Sequence, residues 1–441
     1  MAYYNNYMRI LDGLLQRLRE VCESFADKRL STKNVTYSMA DIGMSAFAMF
    51  FMQSESFLDF QRKLAQRERR SNLHSLFGVK AIPTDPHIRS MLDEVEPESL
   101  QRSFDDVLAT LDSNGGLDVF RRLDGRILVA LDGTEYFSSK KISCENCLSR
   151  KRRDESIDYY HSMLAATIVA PGESHCVHLM PEFIETQDGT EKQDCERNAV
   201  KRWLASDKAA FVSRQRPVFL GDALFACQPI AQAVTDIDGA DFIFVVKPEQ
   251  NQSVFDFVRS HEIHTLAIPG PKGSTHTFRW STGVPMRQND PKFVDWCEIT
   301  ITKASGKVTY KNSFVTSFKI NADNVVEIAT CGRTRWKIEN ESFNVLKNHG
   351  YNLAHNFGHG KSHLAKTLAA MNLLAFSFHN ACDLLDELWQ RMRKKAGKRT
   401  SFFISIFNIC DVFIFETWVE LFEFMVMRKP PASLPTWAGG P

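Results

Sequence analysis

The sequence predicts an α/β protein, a mixed sheet with flanking helices that is interrupted by a β-rich insertion and preceded by a helical N-terminal module. Three observations lead to this prediction. Over roughly the first 110 residues, apolar positions recur at intervals of three and four, as they do in helices. From Leu117, short apolar runs alternate with amphipathic stretches. Between Gln250 and about Ala329 the chain is polar with β-like alternation, and helical patterns return from Arg333.

The helical N-terminal module is predicted over residues 1–115. Leu14 and Leu18 share one helical face, and Ser38 followed by Asp41 is typical of residues that begin a helix. The Arg and Lys side chains of this module fit two interpretations equally well. They could contact a DNA end, or they could be the solvated charges of a helical scaffold.

Between residues 126 and 246 the patterns indicate three strands, a helix, a strand, a helix and a strand. This order is typical of a ribonuclease-H-like sheet. Two of the strands end on aspartates, at Asp132 and Asp222, and strand ends are where α/β sheets collect ligand-binding groups. The strands are predicted at 126–131, 161–170, 176–184, 217–220 and 241–246, and the helices at 192–204 and 228–236.

A third carboxylate, Glu339, lies on the helix predicted after the insertion. If the first and fourth strands are neighbours, Asp132 and Asp222 face each other and Glu339 can close the site. Three carboxylates could hold two Mg²⁺ (or Mn²⁺) ions about 4 Å apart, as phosphodiester cleavage requires. Taken alone, however, an Asp at a strand end is more often an ordinary turn residue.

Several segments together resemble bacterial insertion-sequence transposases of the DDE class, and they extend over about residues 40–380. The resemblance is closest to the subgroup with a β-rich insertion between the second Asp and the Glu. It implies that Asp132 of LDGT, Asp222 of GDAL and Glu339 of WKIEN are the three catalytic, metal-binding carboxylates. The segments are LDGTEYF, PEFIETQDGTEKQDCERNAVKRWL, GDALFACQP, FIFVVKPE and WKIENESFNVLKNHGYNLAHNFGHG.

The residues around Glu339 match that subgroup's signature in part. The signature is Tyr, two residues, Arg, three residues, Glu, six residues, Lys. Arg335 stands where the Arg is required, Gly332 occupies the Tyr position, and Lys347 comes one residue late. Glu341 is the alternative third carboxylate, but it fits the signature less well.

The resemblance implies a transposase that cleaves transposon ends, joins the freed 3′-hydroxyl to target DNA, and acts as a homodimer on DNA. Two other functions fit the same residues: a structure-specific DNA nuclease on this fold, and a non-catalytic DNA-binding protein descended from a transposase. The presence of all three carboxylates argues against the last, and the long insertion favours transposition. The predicted domains are 1–115, 116–249 (catalytic core, first part), 250–329 (insertion), 330–380 (core, second part) and 381–441 (helical C-terminal region).

Five residues are expected to contact DNA. Arg335 and Lys347 would grip phosphates, and Lys247, just past the fifth strand, could do the same. In each case a solvated or structural role fits the residue equally well. Trp280 and Trp296 lie in the insertion, where the resemblance implies an aromatic residue that stacks on a flipped base, although tryptophan is more often a core residue.

Cys144 and Cys147 have the spacing of zinc ligands, and a structural zinc would need two more. His161 and Cys195 are the nearest candidates, with Cys176 and His178 in reserve. Reduced thiols in a loop are the favoured alternative. Gly360-Lys361-Ser362 resembles the end of a phosphate-binding loop but lacks the required earlier glycine, so we exclude nucleotide binding. His355, His359 and His363 are expected to form a phosphate-contacting loop or plain surface rather than a metal site.

Charge and hydropathy limit the remaining possibilities. The net charge of +1 does not exclude DNA, because binding depends on where the basic residues lie. Ten cysteines at irregular spacing and an N-terminus without a signal-peptide pattern favour a reduced, cytoplasmic compartment. The apolar stretch 402–427 is predicted to be an amphipathic helix rather than a membrane span, because it contains four carboxylates: Asp411, Glu416, Glu420 and Glu423.

Overall fold

A mixed sheet forms the centre of the protein, and helices pack around it. The computed structural model describes residues 9–29, 35–54, 56–57, 60, 71–186 and 194–427. Over these residues the sheet has twelve strands: β1 (Arg121–Arg122), β2 (Arg126–Ser139), β3 (Leu148–Lys151), β4 (Ile157–Val169), β5 (Val177–His178), β6 (Glu182–Ile184), β7 (Val218–Gly221), β8 (Asp241–Val246), β9 (His264–Pro269), β10 (Thr275–Pro285), β11 (Phe293–Thr302) and β12 (Val308–Thr316).

The strand order in the sheet is β3-β4-β2-β7-β8-β12-β11-β10-β9, with β1 on β2 and with β5 and β6 on β4. β2, β7 and β8 run parallel, and the other pairs are antiparallel. The expected neighbourhood of the first and fourth predicted strands is therefore confirmed. The strand predicted at 176–184 is divided into β5 and β6.

β2 is longer than the sequence indicated, and this corrects one expectation. The apolar run to Leu131 is buried on both faces, but the strand continues through Asp132 and Gly133 to Ser139. Asp132 is therefore inside a strand rather than at its end. Past Asp132 buried residues (Thr134, Tyr136 and Phe137) are mixed with partly exposed ones, and the pairing register shifts between Glu135 and Phe137. Polar residues hide this half from a search for apolar runs.

The β-rich insertion is present and belongs to the same sheet. It begins with a helix, Gln252–Ser260, and its four strands β9 to β12 form an antiparallel meander that joins β8 through β12. Ser313 of β12 pairs with Val246 at the carboxyl end of β8, so residues 308–312 extend beyond that end.

Within the described residues, the helices lie before, between and after the strands. They are α1 (Arg9–Glu23), α2 (Met39–Phe51), α3 (Asn72–Phe77), α4 (Asp85–Leu92), α5 (Gln101–Ser113), α6 (Glu196–Ala205), α7 (Ala210–Ser213), α8 (Gln228–Thr235), α9 (Gln252–Ser260), α10 (Val325–Arg333), α11 (Asn344–Asn348), α12 (Leu364–Leu385), α13 (Glu387–Ala396), α14 (Arg399–Val412) and α15 (Trp418–Met427).

The first and last helical regions pack against each other. Every residue of α2 is buried, and Ser38 and Asp41 form the capping box that the sequence predicted. Phe51 at the end of α2 lies in an aromatic cluster with Trp389, Phe403 and other rings of the C-terminal helices. The helical N-terminal region is thus part of the common core.

Two apolar segments raise the question of a membrane. α12 is long and apolar enough to cross one, with a mean hydropathy of 1.2, but 83% of that window is buried inside the protein. We therefore describe α12 as a core helix. The stretch 402–427, expected to be one helix, is divided between α14 and α15 by a break at 413–417.

Candidate active site and Cys/His cluster

Asp132 and Asp222 lie side by side on the parallel pair β2 and β7. The register pairs Leu128 with Val218 and Ala130 with Leu220, and Asp132 and Asp222 are each two residues further along. Asp222 directly follows β7, as expected, and its Oδ1 accepts a hydrogen bond of 2.8 Å from the Leu224 backbone N–H. Asp132 Oδ1 accepts one of 3.0 Å from the Gly133 backbone N–H. Both carboxylates are therefore held in fixed orientations.

Glu339 joins this pair through Arg335. The Arg335 guanidinium donates to Asp132 Oδ2 at 3.2 Å and to Glu339 Oε1 at 2.6 Å, so one planar fork links both carboxylates. The rival Glu341 lies elsewhere: its backbone oxygen accepts from the Cys176 thiol, and the residue lines a different cavity. The structure brings Glu339, and not Glu341, to Asp132.

Glu196 is a fourth carboxylate at this site, which the sequence did not reveal. A Cβ atom placed on Gly133 would lie only 2.2 Å from Glu196 Oε1, so the glycine leaves the space that this side chain occupies. Glu196 is the first residue of α6, where acidic residues are common because of the helix dipole. Nothing in its local sequence distinguishes it from such a residue. Asp132, Glu196, Asp222 and Glu339 are called the carboxylate cluster below.

The electrostatics of the cluster are unfavourable to negative charge. The pKa of Asp132 is raised to about 7, chiefly by burial. Arg335 opposes this rise, and the negative charges of Glu339, Asp222 and Glu196 add to it. The pKa of Glu196 is also raised, by burial and then by Asp222. Carboxylates that repel one another in this way gain from a bound cation, which makes the donor set suitable for Mg²⁺ or Mn²⁺.

The helix that carries Glu339 is irregular at that residue. α10 continues into a short 3₁₀ turn, and residues 338–343 form a π-helical segment before α11. A π segment accommodates one extra residue, so it compensates for the late position of Lys347. At Gly332 a Cβ atom would lie 2.7 Å from Ile243 Cγ2, so the tyrosine of the family signature does not fit there.

A cleft of about 580 Å³ opens beside the carboxylate cluster. Glu196, Glu135 and Lys347 line it. Burial lowers the pKa of Lys347, and the negative charge of Glu135 opposes this decrease. Arg150 of β3 pairs with Glu135 and stacks on Tyr160 at 4.8 Å, which brings a second cation to the cleft wall.

The other predicted DNA contacts lie in different surroundings. Lys247 is exposed in the turn after β8, at the sheet edge where Asp222 also lies. Trp296 is 1% exposed and is a core residue of β11. Trp280 is 7% exposed and stacks on His264 at 5.3 Å. The structure therefore favours packing roles for both indoles over the stacking on a base expected above.

Cys144 and Cys147 lie in a second cluster, completed by His161 and His359. The two sulfurs are 3.7 Å apart, and each lies 3.5 Å from His161 Nε2. His359 Nε2 is 3.6 Å from the Cys147 sulfur, and the four donor atoms all lie within 4.8 Å of one another. These residues, called the Cys/His cluster below, could hold a metal ion.

This cluster corrects two expectations. Cys195 is not a member, because it lies at the N-cap of α6 and is exposed on the cleft wall. His359 is a member, although the histidines at 355, 359 and 363 were expected to form a phosphate-contacting loop or plain surface. The sequence could not show this, because 212 residues separate His359 from Cys147 and no spacing rule connects them.

The two histidines of the cluster are enclosed by aromatic rings. Tyr136 stacks on His161 with ring centroids 5.7 Å apart, and Phe137 lies 4.5 Å from His359. Burial lowers the pKa of His161 to about 4, so its imidazole is neutral at pH 7. Burial also raises the pKa of Cys147 to about 11.

Asp93, at the end of α4, fixes the loop that carries His359. Its carboxylate accepts hydrogen bonds from four successive backbone N–H groups at the start of α12, at residues 361–364. Although partial burial opposes it, these bonds hold the pKa of Asp93 below its ordinary value. The nest that resembled a phosphate-binding loop is thus filled by a carboxylate of the protein itself.

Comparisons with known proteins give no family to which the chain can be assigned. No protein-family model matches the sequence, and none of the curated proteins compared with it matches either.

Proposed function

We propose that the protein is a DDE-class DNA transposase, which cleaves transposon ends and joins the 3′-hydroxyl to target DNA. The observation that carries this proposal is the meeting of Asp132, Asp222 and Glu339 at one edge of the sheet. These residues come from distant parts of the chain, and they are the three that the resemblance to insertion-sequence transposases designates.

The sheet order supports a ribonuclease-H-like core for this function. Three antiparallel strand positions (β2, then β4, then β5 with β6) are followed by β7 and β8 parallel to β2. Each expected helix stands in its place, α6 before β7 and α8 before β8. The insertion follows β8, between the second Asp and the Glu, as in the subgroup that the sequence resembles.

The carboxylate cluster supports a catalytic rather than a vestigial site. Crowded, half-buried carboxylates destabilise the folded state, and groups with raised pKa values of this kind concentrate at functional sites. Its hard oxygen donors would hold Mg²⁺ or Mn²⁺, with Glu196 beside the three expected residues. When bound, such ions activate the attacking oxygen and stabilise the leaving one.

The remaining residues bind and orient the DNA. Arg335 uses two N–H donors on carboxylates, and a guanidinium has five, so it also has donors for a phosphate. Lys347 lies in the cleft and Lys247 at the same sheet edge, where each can contact a backbone phosphate. Residues 308–312 of β12 extend past β8 on the side of the carboxylates, toward DNA bound there.

The chemistry requires no external energy source. Water attacks the phosphorus at the transposon end, the P–O3′ bond breaks, and the 3′-oxygen leaves with a proton. The freed 3′-hydroxyl then attacks a target phosphodiester, so that one P–O bond forms as another breaks. We propose that two copies of the chain act together on a pair of ends.

The test uses a labelled transposon end, plasmid target DNA and Mg²⁺ or Mn²⁺, with separate readouts for cleavage and strand transfer. Glu339→Gln is compared with Glu341→Gln, two residues apart on the same helix. We expect Glu339→Gln to reduce the cleavage rate by at least about 1,000-fold, because a bound metal lowers the activation barrier by several kcal/mol. Glu341→Gln is expected to stay within a few-fold of wild type.

Each outcome has a defined meaning. Cleavage without joining to target DNA would indicate the structure-specific nuclease instead. Binding of DNA without any cleavage, under both metals, would indicate a non-catalytic descendant. Loss of activity in Glu341→Gln but not in Glu339→Gln would overturn the assignment of the third carboxylate.

A further inference from the structure

We infer that Cys144, Cys147, His161 and His359 bind one zinc ion in a structural site separate from the carboxylate cluster. This inference does not depend on the proposed function, since it rests only on the geometry of these four side chains.

The distances in the Cys/His cluster fit tetrahedral zinc. With Zn–S of about 2.3 Å and Zn–N of about 2.0–2.1 Å, a tetrahedron separates two sulfurs by about 3.8 Å and a sulfur from a nitrogen by about 3.6 Å. Four of the six separations match these values, at 3.7 Å between the sulfurs and 3.5, 3.5 and 3.6 Å between sulfur and nitrogen. The other two, from His359 to Cys144 and to His161, are at most 4.8 Å. A single ion can therefore reach all four donors with little movement of the side chains.

The donor types select the metal. Two thiols and two imidazoles suit zinc, whereas Mg²⁺ and Ca²⁺ prefer hard oxygen ligands. Four protein donors also close a tetrahedron and leave no position for water or substrate, which is typical of structural zinc. The carboxylate cluster has the opposite donor set, so the two sites would bind different metals.

The zinc would join three separate parts of the chain beside the active cleft. Cys144 and Cys147 lie just before β3, His161 is in β4, and His359 is in the loop before α12. Asn146 already donates to the Ser362 backbone oxygen at 3.0 Å between two of these parts. Since β3 carries Arg150 to the cleft wall, the zinc would fix the position of that wall.

The experiment measures the zinc content of the purified full-length chain by elemental analysis. Two matched pairs distinguish the ligand set: His359→Gln against the exposed His355→Gln, and Cys147→Ser against Cys195→Ser. We expect about one zinc per chain in wild type and in the His355 and Cys195 variants. In the His359 and Cys147 variants we expect the affinity for zinc to fall by at least about 10-fold.

A second measurement covers variants that fail to fold. Metal-free wild type is titrated with Co²⁺, whose visible absorption reports tetrahedral thiolate coordination, and the same titration is repeated with Cys195→Ser. Tetrahedral spectra in both would support the site. Wild type that contains no zinc and gives no such spectrum would overturn the inference, and so would loss of zinc in Cys195→Ser but not in His359→Gln.

Discussion

Strand β2 contributes Asp132 to the carboxylate cluster, and near its end Tyr136 and Phe137 contact the histidines of the Cys/His cluster. The two clusters differ in charge and in exposure. In the first, four acids and Arg335 meet at the edge of a cleft, and the Glu339 side chain is 50% exposed. In the second, His161 is 2% exposed and Cys147 7%, Cys144 and His359 are half-buried, and aromatic rings pack on the two histidines.

The contrast separates two uses of a metal ion. The carboxylate cluster is open and self-repelling, which suits the exchange of hard cations and the entry of a substrate phosphate that the proposed function requires. The Cys/His cluster offers four protein donors and its His161 is buried and neutral, so a metal there would stabilise the fold without meeting a substrate. Removing a ligand should therefore abolish chemistry at the first cluster and lower stability at the second.

The largest expected effect is on cleavage, at the carboxylate cluster. Asp132→Asn keeps the shape of the side chain but removes a charge that the metal requires, so cleavage should fall by at least about 1,000-fold. Binding of a transposon end should persist, because most of that affinity comes from cationic side chains on phosphates. Parallel cleavage and gel-shift assays measure both quantities. Cleavage at the wild-type rate would show that Asp132 has only a structural role.

The next effect is on stability, at the Cys/His cluster. If the inferred zinc is bound, its removal by a strong chelator should lower the free energy of unfolding by about 3 kcal/mol, the value for a ligand at roughly 100 times its Kd. Added Zn²⁺ should restore it, and Mg²⁺ should not. Chemical denaturation of the chelated and reconstituted protein measures the difference, with His359→Gln as the variant in which zinc has a smaller effect.

The third effect is on the pH dependence of stability. Ionisation of Asp132 destabilises the folded state, whereas an ionised Asp in a folded protein usually stabilises it. The pKa of Asp132 is raised from 3.8 to about 7, so the folded state holds a proton more tightly than the unfolded chain. Its contribution to stability is therefore greatest below about pH 4 and is lost as the pH rises toward 7. In metal-free buffer at pH 8, Asp132→Asn should be more stable than wild type by about 2 kcal/mol, allowing for solvent screening.

Denaturation curves at pH 4 and pH 8 test this sign. The advantage of Asp132→Asn should shrink toward zero at pH 4, where the native carboxyl is already neutral. A variant that is less stable than wild type at pH 8 would show that the bond between Arg335 and Asp132 outweighs the burial of the charge.

The sequence predicted the parts of the candidate active site that depend on local patterns. Apolar runs located the strands that carry Asp132 and Asp222, and the signature around Arg335 selected Glu339 over Glu341. Glu196 was not predicted, because its partner is the space left by Gly133, and such a contact between distant segments has no local pattern. The insertion was correctly predicted to be β-rich. That it continues the central sheet was not predicted, because an alternating pattern does not identify the strand with which an edge strand pairs.

The Cys/His cluster shows the same limit of prediction from local patterns more clearly. Cys144 and Cys147 were found from their spacing alone. His359 was not predicted as a member, because its position depends on how Asp93 fixes the loop before α12, and that contact joins residues more than 260 positions apart. The length of β2 was underestimated because polar and partly exposed residues interrupt the apolar pattern in its second half.

A smaller effect on catalysis is expected at Glu196. Glu196→Gln removes one carboxylate from the carboxylate cluster, and Gly133→Ala should displace the same side chain, because a Cβ there would overlap Glu196 Oε1. If Glu196 supports the bound metal, each variant should lose about 10- to 100-fold in cleavage, the range for groups that support metal ligands. Higher Mg²⁺ should rescue both in part, and unchanged cleavage in both would leave Glu196 as an ordinary helix-start residue.

The smallest effects are expected on DNA affinity, and they extend the comparison to the cations around the carboxylate cluster. Lys347 lies in the cleft and Lys247 at the same sheet edge, so each should contact one phosphate. Lys347→Ala and Lys247→Ala should each weaken binding of any DNA sequence by a few-fold and reduce the slope of log affinity against log salt by about 1. Lys319, 84% exposed beyond the opposite end of β12, provides the control, and Lys319→Ala should leave both quantities unchanged.

Lys347→Ala should also slow cleavage at saturating DNA, because its ammonium lines the same cleft as Glu196, whereas Lys247→Ala should not. Equal effects of all three substitutions would mean that DNA does not follow this edge of the sheet, and the carboxylate cluster would then need another route to its substrate.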